Sequence, residues 1–391
     1  MNTATYQFIQ THADADPHSM TLAAKRYPEV DMPFAVRQIA ARQRIRSKLP
    51  EFHEQLYIEY PPQLSLEQCS SEQTARHKAH LISGHSLVDL TGGFGVDFFY
   101  MSQQVTESYY VERQTELCHL ARKNFDLLGL KGFTVVNEGA SDFITRMPTV
   151  DWVYIDPHRR DSTGRKTVLI SDCDPNLTLL VPEIMDKCSH ILVKLSPMLD
   201  IHRAIIDLPT TRQIDIIAVE NECKELLFIL DKEPEITDRK IRCFNYQKNK
   251  PLQLIEFSGL KDVATSAYTH SPLEFLYEPN VAIVKSGAYN AIAQRFGILK
   301  FHPNTHLYTS STYIENFPGR IFRVCEVVES SKQRFVYLKD KYERANIIVR
   351  NYPMSSDELR KKTKLNDGGD WYLFAFKNSK NQNIITICTK S

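Results

Sequence analysis

An α/β fold with a parallel sheet, preceded by a helical N-terminal region and followed by α+β modules, is the class that the sequence predicts. Three observations predict it. Between residues 81 and 232, β-type runs alternate with runs of helical period. Successive runs there end in polar residues, Asp89, Glu112 and Asp156 among them. After Pro234 the pattern changes to short β-rich runs separated by single helices. Strands alternating with helices imply crossover connections, and a sheet wound that way carries its ligands at the carboxyl ends of its strands.

Residues 1–80 read as amphipathic helices. Ala35, Val36, Ile39 and Ala40 share a face, with Arg37, Arg42, Arg44 and Lys48 among them as a solvated basic surface. After the Pro61-Pro62 break, Ser70 or Ser71 is expected to cap the next helix, with Thr74 facing Gln68 across one turn. Leu87-Val88-Asp89 is a short strand that runs into glycines at 92, 93 and 95, and Phe98, Phe99 and Tyr100 begin a helix. Such a bend brings backbone N–H groups up to a ligand. Phe98 stands where a dinucleotide-binding loop has its third glycine. Asp89 therefore suits the ammonium or hydroxyls of S-adenosylmethionine better than a pyrophosphate.

Ser108–Glu112 is the second strand, and its terminal carboxylate is an acceptor for two ribose hydroxyls. Glu116, Leu117, Leu120, Ala121 and Phe125 recur at helical spacing. Phe133–Val136 is the third strand, followed by the loop Gly139-Ala140-Ser141-Asp142. Asp151–Pro157 is the fourth, and it delivers Asp156, Pro157, His158, Arg159 and Arg160 to the same edge. The fifth, His190–Ser196, brings Lys194 there, either snorkelling to solvent or serving the site. Asp215–Glu220 and Glu225–Leu230 complete the sheet.

Beyond it, Ile241–Tyr246 and Leu252–Phe257 are strand-like, and a polar linker ends near Pro272. A helix is expected over Ala288–Phe296, strands over Ile321–Val328 and Ile347–Tyr352, and a further helix led by Ser355-Ser-Asp-Glu358. Residues 332–364 hold ten Lys/Arg against four Asp/Glu, a phosphate-backbone footprint. Over all 391 residues the formal charge is +1, so nothing drives the whole chain toward nucleic acid or membrane. The eight cysteines form no C-x-x-C pair, which argues against a zinc ribbon, a redox dithiol or a disulfide scaffold. No structural metal, no membrane contact and a cytoplasmic location are the corresponding expectations.

These residues closely resemble the class I S-adenosylmethionine-dependent methyltransferases that carry a C-terminal THUMP-like domain. The likeness covers Gln68–Ala75, Asp89–Asp97, Asp156–Asp161 with Gly164-Arg165-Lys166, and Val193–Pro197. It continues through Tyr277–Asn280 with Lys285-Ser-Gly287, as a small ferredoxin-like module over 275–319. Phe317–Arg320, Ala345–Arg350 and Asp367–Asp370 look like the THUMP-like domain, placed at 320–391. The remaining divisions are 1–80, a Rossmann-like core over 81–232, and a strand pair with linker over 233–274.

The resemblance implies bound S-adenosylmethionine and an RNA substrate, ribosomal or transfer RNA. Thr91, Gly92, Asp97 and Arg113 fall among the cofactor-binding residues, with Asp89 and the Gly93 and Gly95 backbone expected at the methionine part, Glu112 at the ribose, and Ala140 and Ser141 beside the adenine. Asp156 would accept a hydrogen bond from the substrate nitrogen, with Pro157 beside it, and His158 would take the released proton. Arg159, Arg160, Lys194, Gln68 and Ser71 fall on the substrate side. Motifs around Glu112-Arg113 and Asp151–Pro157 also look like a ribosomal RNA guanine-N2 methyltransferase family. One departure argues against base-nitrogen methylation: many enzymes of that kind follow Asp-Pro with Pro and an aromatic, whereas this chain has His158 and Arg159. A protein or small-molecule acceptor, and a catalytically silent RNA-binding protein, are the competing readings.

Overall fold

The computed structural model describes residues 2–159, 170–232, 239–259, 264–329 and 332–391. The chain divides into two compact units: Met1–Arg212 with Leu227–Ile236, and Gln213–Leu226 with Thr237–Ser391.

The first unit opens with six α-helices, α1 (Thr3–Thr11), α2 (Pro17–Leu22), α3 (Met32–Ile45), α4 (Pro50–Glu54), α5 (Gln63–Gln68) and α6 (Glu72–Ala79). Local chemistry sets their starts. Asn2, Asp16, Asp31 and Ser71 each accept a backbone N–H of the first turn. Proline near the first helical position of α2, α3 and α4 presets φ where no N–H partner is lost. Phe8 and Ile9 of α1 pack with Met32, Ala35 and Ile39 of α3 in a cluster of their own, and the other apolar faces join the α/β part. Ala41, Ile45, Leu49, Phe52, Leu66 and Ala75 share one cluster with Phe94, Phe98, Phe99, Tyr110 and Phe125 of the α/β part.

That part contains β1 (Ser86–Asp89), α7 (Val96–Ser102), β2 (Glu107–Val111), α8 (Thr115–Leu127), β3 (Phe133–Val136), α9 (Ala140–Arg146) and β4 (Val150–Ile155). Then come the two-residue strands β5 (His158–Arg159) and β6 (Cys173–Asp174), α10 (Leu177–Met185), β7 (Cys188–Leu195) and α11 (Ile201–Asp207). The sheet runs β3-β2-β1-β4-β7, and every pairing in it is parallel. β1 has neighbours reached by crossovers in opposite directions, so the strand order reverses beside it and opens a crevice at its carboxyl end. Asp89, Glu112 and Asp156 all arrive at that edge.

β8 (Thr211–Val219) and β9 (Glu222–Asp231) are joined by Glu220 and Asn221, both at positive φ (50° and 60°), the backbone a two-residue hairpin turn requires. In the second unit β10 (Lys240–Tyr246) pairs in parallel with β8, and β11 (Gln253–Ser258) antiparallel with β10. Asp215, fully buried, is held by both guanidinium donors of Arg242 at 2.8 and 2.5 Å.

The same unit contains β12 (Phe275–Pro279), α12 (Val281–Ser286), α13 (Tyr289–Phe296), β13 (Leu299–His302), β14 (Thr305–Ser310) and β15 (Gly319–Glu329). It ends with α14 (Lys332–Lys341), β16 (Asn346–Arg350), α15 (Ser356–Thr363), β17 (Trp371–Lys377) and β18 (Asn383–Lys390). Its sheet runs β13-β14-β12-β15-β18-β17-β16. Ser355 and Glu358 form a reciprocal capping box at the start of α15. Part of the basic stretch at 332–364 is spent internally: Lys341 pairs with Glu326 at 2.9 Å, Arg350 with Glu278 at 2.6 Å and Arg360 with Asp367 at 2.5 Å.

His306, on β14, stacks on Tyr289 with ring centroids 3.5 Å apart, and its buried Nδ1 has no hydrogen-bond partner among the described residues. Burial, then the charges of Lys300 and Arg350, lower its pKa from an ordinary 6.5 to about 4. The unfolded chain therefore binds a proton at His306 that the folded chain refuses. Stability from this group is complete above pH 6.5 and is lost as pH falls from 6.5 through about 4. Thermal unfolding of the intact protein between pH 7 and pH 4 should show a smaller acid-side loss in His306→Phe than in the wild type. Equal losses would remove His306 as the cause.

Candidate active site

The turn after β1 is shaped by backbone chemistry. Asp89 is buried, and its Oδ1 accepts the Thr91 N–H at 2.9 Å, closing a side-chain turn over the strand end. Thr91 Oγ1 in turn accepts the Asp156 N–H at 2.7 Å, which ties the loop after β1 to the end of β4. Gly92 packs flat against Tyr110, where a Cβ would stand 2.3 Å from the ring. Gly95 has φ +85° and faces Phe125 at 2.6 Å from where its Cβ would be. At Gly93, φ is +55° and the space beside it is open, the nearest atom to a Cβ being Thr91 O at 3.7 Å. The loop is thus held from below at two glycines and open at the one between them.

Glu112, just beyond β2, is buried and fixed by two backbone donors: Gly93 N–H to Oε2 at 3.0 Å and Gln114 N–H to Oε1 at 2.8 Å. Each oxygen keeps acceptor capacity for a further donor. Ala140 and Ser141 begin α9 after Gly139, half-buried and exposed respectively.

Asp97, in the first turn of α7, is the centre of a buried polar network. Its Oδ2 accepts hydrogen bonds from Ser70 Oγ and Tyr154 Oη, both at 2.7 Å. Lys78 Nζ lies 3.2 Å from its Oδ1 and also donates to Ser70 Oγ at 3.2 Å. Lys194 Nζ lies 3.8 Å from Asp97 Oδ2 and donates to Asp156 Oδ2 at 2.5 Å. Burial opposes ionisation of Asp97, but Lys78, Lys194 and the two hydroxyls outweigh it and hold the carboxyl below its usual range. Asp89 behaves oppositely. Burial, reinforced by the nearby Asp97 and Asp156 charges, pushes it well above that range against the Thr91 N–H.

The remaining expected residues are placed as follows. Ser71 caps α6, accepting the Thr74 N–H at 3.2 Å, while Gln68 ends α5 exposed. Arg113 donates to Asp174 at 3.1 Å and its other Nη lies 3.3 Å from His158 Nε2. A guanidinium therefore engages one ring nitrogen of the histidine expected to take the released proton. Pro157 is buried and Arg159 closes β5. Arg160 lies outside the described residues, as does the Gly164-Arg165-Lys166 motif. Sequence reasoning did not single out Lys78 or Tyr154 and considered Ser70 only as a cap. The available signal was on α6, where Lys78 follows Ser71 and Ala75 at helical spacing, so that a charge falls on the face turned to the core.

Known proteins place the chain in a family. A family described as ferredoxin-like matches residues 275–318, and one described as THUMP domain-like matches 319–390. The crystal structure of a Porphyromonas gingivalis W83 protein assigned as a methyltransferase is 31% identical, over 99% of this chain and 98% of that one, with a TM-score of 0.89. The chain belongs to that family, the class I methyltransferases with a C-terminal THUMP-like domain. Two other solved structures overlap parts of this family member. They are M. capricolum TrmK in complex with S-adenosyl-homocysteine (14% identity, 46% of this chain, 71% of that, TM-score 0.31) and an rRNA methylase from Streptococcus thermophilus (13%, 41%, 94%, 0.31). Comparison with curated proteins gives no match. Among the described residues of this methyltransferase-family chain, no helix is long and apolar enough to cross a membrane, and no group of three His, Cys, Asp or Glu side chains is placed to hold a metal.

The loop geometry separates three glycines that look equivalent in sequence. Gly92→Ala forces a methyl into Tyr110, and Gly95→Ala combines a clash with a left-handed backbone. Each should cost about 2–4 kcal/mol of stability. Gly93→Ala meets open space and should cost only about 1 kcal/mol. Denaturant unfolding of the three variants checks the ranking, which fails if Gly93→Ala is as destabilised as the other two.

Proposed function

We propose that this protein is an S-adenosylmethionine-dependent methyltransferase whose acceptor is RNA. The observation that carries the reading is the trio of carboxylates Asp89, Glu112 and Asp156, set at the ends of three adjacent parallel strands around a glycine loop. The donor set suits the cofactor. Glu112 is locked by Gly93 and Gln114, yet each of its oxygens has a lone pair left for a ribose hydroxyl. The open space beside Gly93 leaves room for a ligand against the backbone.

S-Adenosylmethionine, when bound, supplies an activated methyl group on sulfonium sulfur. The protein then needs alignment more than acid–base help. Glu112 would hold the ribose, the Thr91–Gly95 backbone the methionine part, and Ala140 with Ser141 would border the adenine. Asp156 would accept a hydrogen bond from the acceptor group and orient its lone pair. Arg113 is held at the wall of the site by Asp174 and His158. RNA as the acceptor class is supported by the THUMP domain-like match at 319–390. The basic residues of 332–364 not used in ion pairs, such as Lys361 and Lys362, are exposed and available to phosphates.

Calorimetric titration with S-adenosylmethionine and S-adenosylhomocysteine tests the cofactor. The wild type should bind both, and Glu112→Ala should lose about 100-fold or more in affinity, since two hydroxyls lose a charged acceptor. Transfer of tritiated methyl groups to unmodified ribosomal and transfer RNA tests the acceptor. Failure of the folded wild type to bind either ligand rules out the enzyme and favours an RNA-binding protein of the same fold.

A further inference from the structure

The ends of α3 and α4 enclose a cleft of about 180 Å³ lined by Ala13, Asp14, Arg42, Gln43, Arg46 and His53. The basic residues of α3 read from sequence as a solvated surface, yet Arg42 is only 7% exposed. Its guanidinium donates to Gln55 O at 3.0 Å and to His53 O, two carbonyls at the end of the short helix α4. Among the described residues no carboxylate pairs with Arg42. Asp14, the one acid in the lining, stands 3.8 Å from Arg46 with its side chain 92% exposed. A buried arginine without a paired anion is uncommon, because the ion loses its water and gains no counter-charge. A helix carboxyl end offers at most about half a negative charge, which does not cancel two guanidiniums. His53 responds to that surplus. Burial, then the charges of Arg42 and Arg46, lowers its pKa from the ordinary 6.5 against the weaker pull of Asp14 and Glu54.

We infer that this cleft binds a phosphate-type oxyanion, with Arg42 as its buried anchor and Arg46 as its outer clamp. The site uses none of the carboxylate crevice and does not depend on the methyltransferase reading. Volume selects the ligand: pockets for whole small molecules run to ~300 Å³ or more, whereas this one admits a tetrahedral anion with its waters. Charge selects its sign, since two guanidiniums face one exposed carboxylate. Geometry favours phosphate, because a planar guanidinium meets two oxygens of such a group at once. Of the five N–H donors of Arg42, carbonyls take two and the others are unspent. Asp14 does not bar the anion. Its contact with Arg46 is long and open to solvent, a kind of ion pair that contributes little, and an oxyanion in short contact replaces it. A capping role alone accounts for where the Arg42 guanidinium lies but leaves its charge uncompensated. The same phosphate chemistry has two sources, an RNA backbone and the free ion.

The test uses the full-length protein at low salt, with inorganic phosphate as the first probe and an unmodified transfer RNA transcript as the second. Calorimetry should show saturable phosphate binding to the wild type, weakened about 10-fold in Arg46→Gln and at least about 30-fold in Arg42→Met, the loss of charge-assisted hydrogen bonds. Arg44→Gln, at an exposed position of α3 outside the cleft, should stay within about 2-fold of wild type. Phosphate should raise the Tm of the wild type and leave that of Arg42→Met unmoved. Should Arg42→Met fail to fold, Arg46→Gln decides alone, since that side chain is 72% exposed. The transcript separates the sources. If a backbone phosphate occupies the cleft, free phosphate competes with RNA, and Arg46→Gln reduces the salt slope of RNA binding by about 1. If the free ion does, RNA binding and its slope are equal in wild type and Arg46→Gln while the phosphate titrations differ. Either result supports the site. It is overturned by the absence of saturable phosphate binding with an unchanged RNA slope, or by wild-type phosphate affinity in Arg46→Gln and Arg42→Met. An equal loss of phosphate affinity in Arg44→Gln and Arg46→Gln also overturns it, as an effect of general charge. S-Adenosylhomocysteine affinity should be the same in all the variants, so failure of this site leaves the methyltransferase reading standing.

Discussion

Asp97 carries its carboxylate beneath the end of the sheet, where hydroxyls of Ser70 and Tyr154 donate to one oxygen and Lys78 stands 3.2 Å from the other. Those partners come from the start of α6, from β4 and from within α6, so a single side chain fastens the N-terminal helices to the strand that presents Asp156. Burying an ion costs several kcal/mol, and a buried pair repays this only when its remaining donors and acceptors are satisfied. Two hydroxyls satisfy Oδ2, while Oδ1 has the Lys78 charge 3.2 Å away but no hydrogen bond among the described residues. Removing one partner leaves an uncompensated buried charge, a loss of about 3–5 kcal/mol. The network adds little net stability over an apolar core of equal volume. Its effect is geometric: it permits one relative placement of α6, α7, β4 and β7, and the loop between Asp89 and Asp97 inherits that placement.

The apolar packing follows the same logic. Helices α3–α6 share their cluster with Phe94, Phe98, Phe99, Tyr110 and Phe125, so the N-terminal region forms one side of the methyltransferase core. Phe98 fills, with rings 5.5 Å from Tyr110 and 5.1 Å from Phe125, the gap that a glycine would close by direct helix–strand approach. α7 therefore stands off the sheet on aromatic rings. The glycines at 92 and 95 are required because those same rings press against the loop from below.

Much of this was legible in the sequence. Alternating periods identified the parallel sheet, and strand ends identified Asp89, Glu112 and Asp156, because both signals are local. Ser355 and Glu358 likewise announced their helix at a fixed spacing. The network around Asp97 was not legible, since Ser70, Lys78, Tyr154 and Lys194 lie on separate elements that only tertiary packing joins. Asp97 was placed toward the cofactor for its position in the glycine loop, whereas its carboxylate turns into the protein. The basic stretch at 332–364 was overcounted for a related reason. The acids that neutralise Arg350, Lys341 and Arg360 are Glu278, Glu326 and Asp367, all outside that window.

The charge arrangement also bears on the kind of ligand the crevice favours. Asp89, Asp97, Glu112 and Asp156 line or underlie it, and the two ammonium groups in the network, Lys78 and Lys194, are set against Asp97 and Asp156. Among the described residues Asp89 has the Thr91 N–H and hydroxyl as its donors, and burial with its acidic neighbours makes it resist ionisation. A phosphate brought to this edge would add negative charge to carboxylates whose described lysine partners, Lys78 and Lys194, already contact Asp97 and Asp156. A ligand bearing a positive charge would instead relieve the repulsion and favour the ionised form of Asp89. The glycine spacing resembles that of a dinucleotide-binding loop, whereas the electrostatics of its carboxylates disfavour a pyrophosphate and favour a positively charged ligand.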